Sequence, residues 1–172
     1  MSPVDDGRIK QSLEYFFWEK LPATDLGVAI EEAKPVGERR KVAALNKFAN
    51  TYEQPLSKWV VVGDSITDFR MLQTVERAGG LAIAFNANEY ALTYITMSLV
   101  STSLSDLMEV LETWQKASRK GVEKRVKGKE KVGGTGDRSY FHWLSGSKDI
   151  DEVIETHRRI RHLTREEVSK LG

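Results

Sequence analysis

Residues 59–72 read WVVVGDSITDFRML. Trp59 to Val62 are β-branched or aromatic with no polar residue between them, the pattern of a strand buried on both faces of a parallel sheet. Gly63 lets the backbone turn sharply, and Asp64 and Asp68 then follow four residues apart, one helical turn on the same side. Ligands of open parallel sheets bind beyond the carboxyl ends of the strands, so both acids are placed to face a single point there. Two hard oxygen ligands with water suit Mg²⁺, which takes one or two protein carboxylates and shares the rest of its shell with phosphate oxygens. Ser65 and Thr67 are placed to cap a helix, hold water or orient the carboxylates. The same residue types also serve as plain helix N-caps and first-turn acids, and spacing alone leaves both readings open.

Downstream, Phe69, Leu72 and Val75 fall at helical spacing and predict a helix over 65–78, closed by Gly79 and Gly80. LAIAF at 81–85 reads as a second buried strand, so residues 59–85 form a βαβ unit with parallel strands. MSLVS at 97–101 reads as a third strand. Leu107, Val110, Leu111 and Trp114 are in register for a helix that Ser103 or Ser105 caps.

Upstream, Ile9, Leu13, Phe16 and Phe17 mark a helix over 8–20. LGVAI at 26–30 reads as a short strand between turns, and ERRKVAALNKF as a helix running to Asn50. Residues 116–131 hold eight basic and two acidic side chains and read as a solvated linker, which GGTG at 133–136 extends. Beyond it, Tyr140, Phe141 and Trp143 read as a cluster that covers a surface such as a partner's. Ile150, Val153, Ile154, His157 and Ile160 mark an amphipathic helix in which His157 packs, and Thr164 with Glu167 reads as the start of a second. His142, His157 and His162 show no metal-ligand spacing. The expected organisation is an N-terminal helix and cap remnant over 1–36, an α/β core over 37–115, a basic linker over 116–136 and a helical extension over 137–172.

The chain has 172 residues, enough for one domain with an appendage. Its 26 basic and 25 acidic side chains balance to +1, which says nothing of a polyanionic partner. The basic stretch carries +6 but lacks interleaved aromatics for base stacking, so nucleic acid is not the expected partner. The absence of cysteine excludes disulfides, thiolate metal sites and cysteine nucleophiles. No apolar segment reaches membrane-span length, and the expectation is a cytoplasmic protein without a membrane partner.

The stretch VVVGDSITDFRMLQTVERAGGLAIAFNANEYA resembles the fourth motif and following βα unit of the haloacid-dehalogenase-like (HAD) phosphohydrolases. The matching positions are Gly63, Asp64, Asp68, Met71, Leu72, Gly79, Gly80, Asn86 and Ala87. RRKVAALNKF resembles the third motif through Lys41, Ala44 and Leu45. The resemblance implies an incomplete Rossmann-like, HAD-type parallel sheet and Mg²⁺ as cofactor. It implies that Asp64 and Asp68 hold the metal, that Lys41 is the catalytic cation neutralising phosphate and nucleophile charge, and that Ser65 and Asn86 contact substrate phosphate. The substrate would be a phosphorylated small molecule, a phosphate monoester.

The family attacks phosphorus with an aspartate on an apolar strand that leads into Asp-x-Asp, and no such stretch is present. Asp5 and Asp6 are adjacent and follow no strand, and Thr24 is a poor match to the second motif's Ser or Thr. The nucleophile is therefore unknown. The missing strand normally lies beside the one bearing Asp64, so WVVV is expected at an uncovered edge. A homodimer, a complementing chain or upstream sequence would pair it. A noncatalytic descendant that keeps the fold for binding or assembly is the alternative.

Overall fold

The computed structural model describes residues 6–32, 37–132, 139–147 and 150–169. The chain divides into two units, Met1–Val36 and Gly37–Gly172. GGTG at 133–136 lies outside the described residues.

In the first unit, α1 (Asp6–Glu14) continues into π-helical turns over Tyr15–Lys20, and α2 spans Asp25–Glu32. The expected strand over 26–30 is therefore a helix. Thr24 decides this: its hydroxyl accepts from the Gly27 N–H at 3.1 Å and donates to the Leu21 carbonyl at 2.7 Å, while Asp25 supplies a first-turn acid. Thr24 is thus a helix cap, and it ends no strand. The unit leaves its large apolar residues in the open, Trp18 at 80% exposure and Phe17, Leu26 and Ile30 each above half.

The second unit is α/β. Helix α3 (Glu38–Thr51) precedes β1 (Val60–Gly63), α4 (Phe69–Arg77), β2 (Leu81–Phe85) and β3 (Met97–Ser101). Helix α5 (Leu107–Val132), β4 (Ser139–Trp143) and α6 (Asp151–Ser169) complete it. The open four-stranded sheet has the order β1-β2-β3-β4, with β1, β2 and β3 parallel and β4 antiparallel to β3. Residue parity sorts the two faces. Val61, Ala82 and Ala84 pack against Leu72 and Val75 of α4 and Val153 of α6, whereas Leu81, Ile83, Met97 and Leu99 pack against α5.

The basic stretch is not a solvated linker. Glu109 accepts from Arg125 Nε and, at 2.5 Å, from Lys129 Nζ. In a straight helix 16 residues span about 24 Å, so the chain doubles back. It does so at Ser118, whose φ of 53° and ψ of −161° break the helix into halves 107–117 and 119–132. Val122 and Val126, four residues apart, are buried with Leu107 and Val110 against the sheet. Arg125, Lys127 and Lys129 turn toward solvent while Arg119 is half-buried at the strand ends, and each of the four pairs with a carboxylate.

The C-terminal stretch is likewise part of the core. Phe141 and Trp143 lie in β4 and cover the protein's own α5. Glu130 of α5 accepts the Trp143 N–H at 2.5 Å and so covers the outer edge of β4. Helix α6 runs on through Thr164, whose hydroxyl donates back to the Ile160 carbonyl, and no second helix starts there.

Strand β1 forms the opposite edge of the sheet, with no strand paired beyond it among the described residues, and Val62 is 39% exposed on the α5 side. The expectation of burial on both faces therefore fails at Val62.

Candidate functional site

The carboxyl ends of β1 and β2 bring together residues from four elements. The turn after β1 carries Asp64, Ser65 and Thr67, and Asp68 stands at the N-terminus of α4. The first turn of α3 presents Lys41, whose Nζ donates to Asp68 Oδ1 at 2.6 Å and to the Thr67 hydroxyl at 3.2 Å. Two motif candidates separated by 27 residues of sequence thus meet in one ion pair.

Asp68 is the organiser of this turn. It is 7% exposed, and its Oδ2 accepts from the backbone N–H groups of Asp64 (3.2 Å) and Ser65 (3.3 Å) and from the Ser65 hydroxyl (3.1 Å). Burial pushes its carboxyl up, but the Lys41 ammonium foremost, with the Asp64 N–H and the Ser65 hydroxyl, holds it below the usual carboxylate range. Its side chain does not cap α4. It reaches back to the preceding turn instead, which is the reverse of the plain N-cap reading. Gly63 is required for this geometry, since a Cβ there would lie 2.5 Å from the Asp68 Cβ.

Asp64 differs. It is exposed, its backbone carbonyl accepts from Asn88 N–H at 2.9 Å, and its carboxylate makes no hydrogen bond among the described residues. Asn86 adopts a left-handed turn (φ 44°), and both ends of its amide are engaged by Ser101: Nδ2 donates to the carbonyl at 2.7 Å and Oδ1 accepts from the N–H at 2.9 Å. The Asn86 amide therefore ties β2 to β3, and what this residue presents to the site is its backbone carbonyl.

Sequence reasoning missed Arg161. Its Nη1 donates to the carbonyls of Asp64 (3.1 Å) and Asn86 (3.0 Å), so α6 places a guanidinium over the ends of β1 and β2. One helical turn earlier, His157 Nδ1 accepts from the Ala87 N–H at 2.8 Å. The available signal was that i, i+4 pair on the apolar side of α6.

For a divalent ion the donor set fits in part. Asp64 is a free hard-oxygen ligand at the strand end, whereas both oxygens of Asp68 are already held by donors. No group of three or more histidine or acidic side chains that could hold a metal occurs among the described residues. Mg²⁺ keeps waters and needs only one or two protein carboxylates, and of the two acids Asp64 alone has a carboxylate unengaged among the described residues.

No family model and no curated protein matches the chain. A solved structure of the gene product AF1437 from Archaeoglobus fulgidus is similar, with a TM-score of 0.66 and 25% sequence identity over 95% of this chain. The match covers 48% of that protein, so the chain spans about half its length. No helix among the described residues is long and apolar enough to cross a membrane.

Proposed function

We propose that the chain is the later part of a HAD-like, Mg²⁺-dependent phosphohydrolase with a Rossmann-like core, acting on a phosphate monoester when an aspartate nucleophile is supplied beside β1. The observation that carries this reading is the 2.6 Å pair of Lys41 and Asp68 beneath a free Asp64 at the carboxyl end of a parallel strand. The bare edge at β1 supports it, because that is where the nucleophile-bearing strand would lie. Upstream sequence, a second copy or a complementing chain would supply it, in a cytoplasmic assembly.

Each residue then has a role set by its bonds. Asp64 would hold Mg²⁺, which when bound neutralises phosphate oxygens. An ammonium has three donors, and Lys41 uses two on Thr67 and Asp68, leaving one for phosphate. Asp68 and Ser65 position that lysine and the Asp64 backbone. The added aspartate would attack phosphorus and release the alcohol, and water would then hydrolyse the acyl phosphate.

The noncatalytic alternative is favoured by the saturation of Asp68 and by the lack of an apolar strand leading into Asp-x-Asp, since the Asp149-Ile150-Asp151 triplet follows Ser-Gly-Ser-Lys. Calorimetric titration of inorganic phosphate with and without Mg²⁺ separates the two. The phosphohydrolase reading expects Mg²⁺ to tighten phosphate binding and Lys41→Met to weaken it at least about tenfold, the loss of one charge-assisted hydrogen bond. Phosphate binding that neither Mg²⁺ nor Lys41→Met alters would leave the assembly role.

A further inference from the structure

Three buried side-chain polar atoms have no hydrogen-bond partner among the described residues: Ser98 Oγ, His142 Nε2 and His157 Nε2. Buried polar groups are almost always paired, and an orphan signals an ordered water or an ion. These three converge. Ser98 and His142 are direct cross-strand partners on β3 and β4, which places their Cβ atoms about 5 Å apart. Their side chains lie on the face opposite Met97, Leu99, Phe141 and Trp143, the side that α6 covers. Tyr140, on the same side of β4, meets Arg159 of α6. His157 of α6 is 1% exposed, on the helix that packs over this side of β3.

Hydrogen-bond polarity identifies the occupant. His157 Nδ1 accepts from the Ala87 N–H, so the proton of the neutral ring is on Nε2, and Nε2–H is a donor without an acceptor. Burial foremost holds this imidazole down at about 3, so it stays neutral across the ordinary pH range. A protonated Nε2 has no lone pair for a metal, which excludes His157 as a ligand in this tautomer. His142 Nδ1 lies 4.0 Å from Glu130 Oε1. The negative charge on that side of the ring favours a proton on Nδ1 over Nε2, which leaves Nε2 as an acceptor, and Ser98 supplies a hydroxyl that serves either way.

We propose that one ordered water molecule sits at the junction of β3, β4 and α6, accepting from His157 Nε2–H and donating to His142 Nε2, with Ser98 Oγ as its third partner. Buried waters typically make about three hydrogen bonds to otherwise orphaned groups. The water makes His157 a positioning residue. It fixes the ring that holds Ala87, and with it the helix that carries Arg161 onto the carbonyls of Asp64 and Asn86. This inference does not depend on the chemistry proposed for the strand ends.

A crystal structure of the chain, combined with ¹⁵N NMR of the histidine rings, tests it. Expected are a density peak about 2.7–3.2 Å from all three atoms, no anomalous signal, and a neutral Nε2–H tautomer at His157. Ser98→Ala, which removes one partner without adding bulk, is expected to speed exchange of the His157 Hε2 proton about tenfold. An empty junction, a direct bond between the two imidazoles, an anomalous metal peak, an Nδ1–H tautomer at His157, or unchanged exchange in Ser98→Ala would each overturn the proposal.

Discussion

The two ends of the parallel strands carry the same kind of cluster in different states of completion. At the amino ends, Glu76 Oε1 accepts from Arg119 Nη2 and the Ser145 hydroxyl, both at 2.7 Å, and Oε2 accepts from the Thr96 hydroxyl. Arg119 also donates to the Gly80 carbonyl and lies over the Trp143 ring at 5.7 Å. Every polar group there has a partner, and the cluster ties α4, α5, β2, β3 and the end of β4 together. At the carboxyl ends Asp68 and Lys41 are joined in the same way, yet Asp64 stands exposed with its carboxylate unengaged. A cation, a carboxylate and hydroxyls in contact are therefore not a site by themselves. Chemistry is to be sought where bonding capacity is left over.

The largest expected effect breaks the closed cluster. Arg119→Ala leaves Glu76 partly buried without its cation, and truncating one member of such a pair costs about 2–3 kcal/mol once its partial exposure is allowed for. Chemical denaturation measures the loss, and Mg²⁺ binding by the folded variant should be unchanged. Gly63→Ala comes next. Its new Cβ meets Asp68 and forces the turn apart, an overpacking cost of about 1–3 kcal/mol, and this variant should also weaken Mg²⁺ binding. Retained stability would mean that the Asp68 turn is more pliant than its hydrogen bonds indicate.

Acid acts on Glu76 and Asp68 with the same sign. Burial raises Glu76, but Arg119, Thr96 and Ser145 outweigh it and hold the group below its ordinary value of 4.5, as Asp68 is held below 3.8. Both contribute stability that is complete above those values and is lost as pH falls through the lower folded-state values. Denaturation midpoints should therefore decline below about pH 4.5. Glu76→Gln should flatten that decline.

The smallest effect concerns the reversal within α5. Ser118 occupies a backbone region that is essentially reserved for glycine. Ser118→Gly should stabilise by up to about 1 kcal/mol, the relieved strain offset by glycine's greater chain entropy. A destabilised variant would show that the hydroxyl, not the backbone, sets the reversal.

The parallel core was legible because its strands are short runs free of charged residues: the apolar LAIAF forms β2 at 81–85 and MSLVS, with its two small serines, forms β3 at 97–101. Residues 119–132 were not, because nine charged side chains hide two valines four residues apart whose burial depends on a chain reversal at Ser118. LGVAI misled for the opposite reason, since its alternating apolar residues outweighed one Thr-Asp cap. At the site, Lys41, Asp64, Asp68 and Ser65 could be read from local motifs and do converge. Arg161 was marked only by its i, i+4 spacing from His157, since it contacts the ends of β1 and β2 through backbone carbonyls, whose positions the sequence does not encode locally.

The central claim is that the open end is a metal site and the closed end is not. Titrating the folded chain with Mg²⁺ while following backbone amides by NMR tests it most directly. The account predicts saturable shifts in the amides of residues 63–68 at millimolar Mg²⁺, lost in Asp64→Asn and retained in Glu76→Gln. Shifts that survive Asp64→Asn, or none at all, would contradict it.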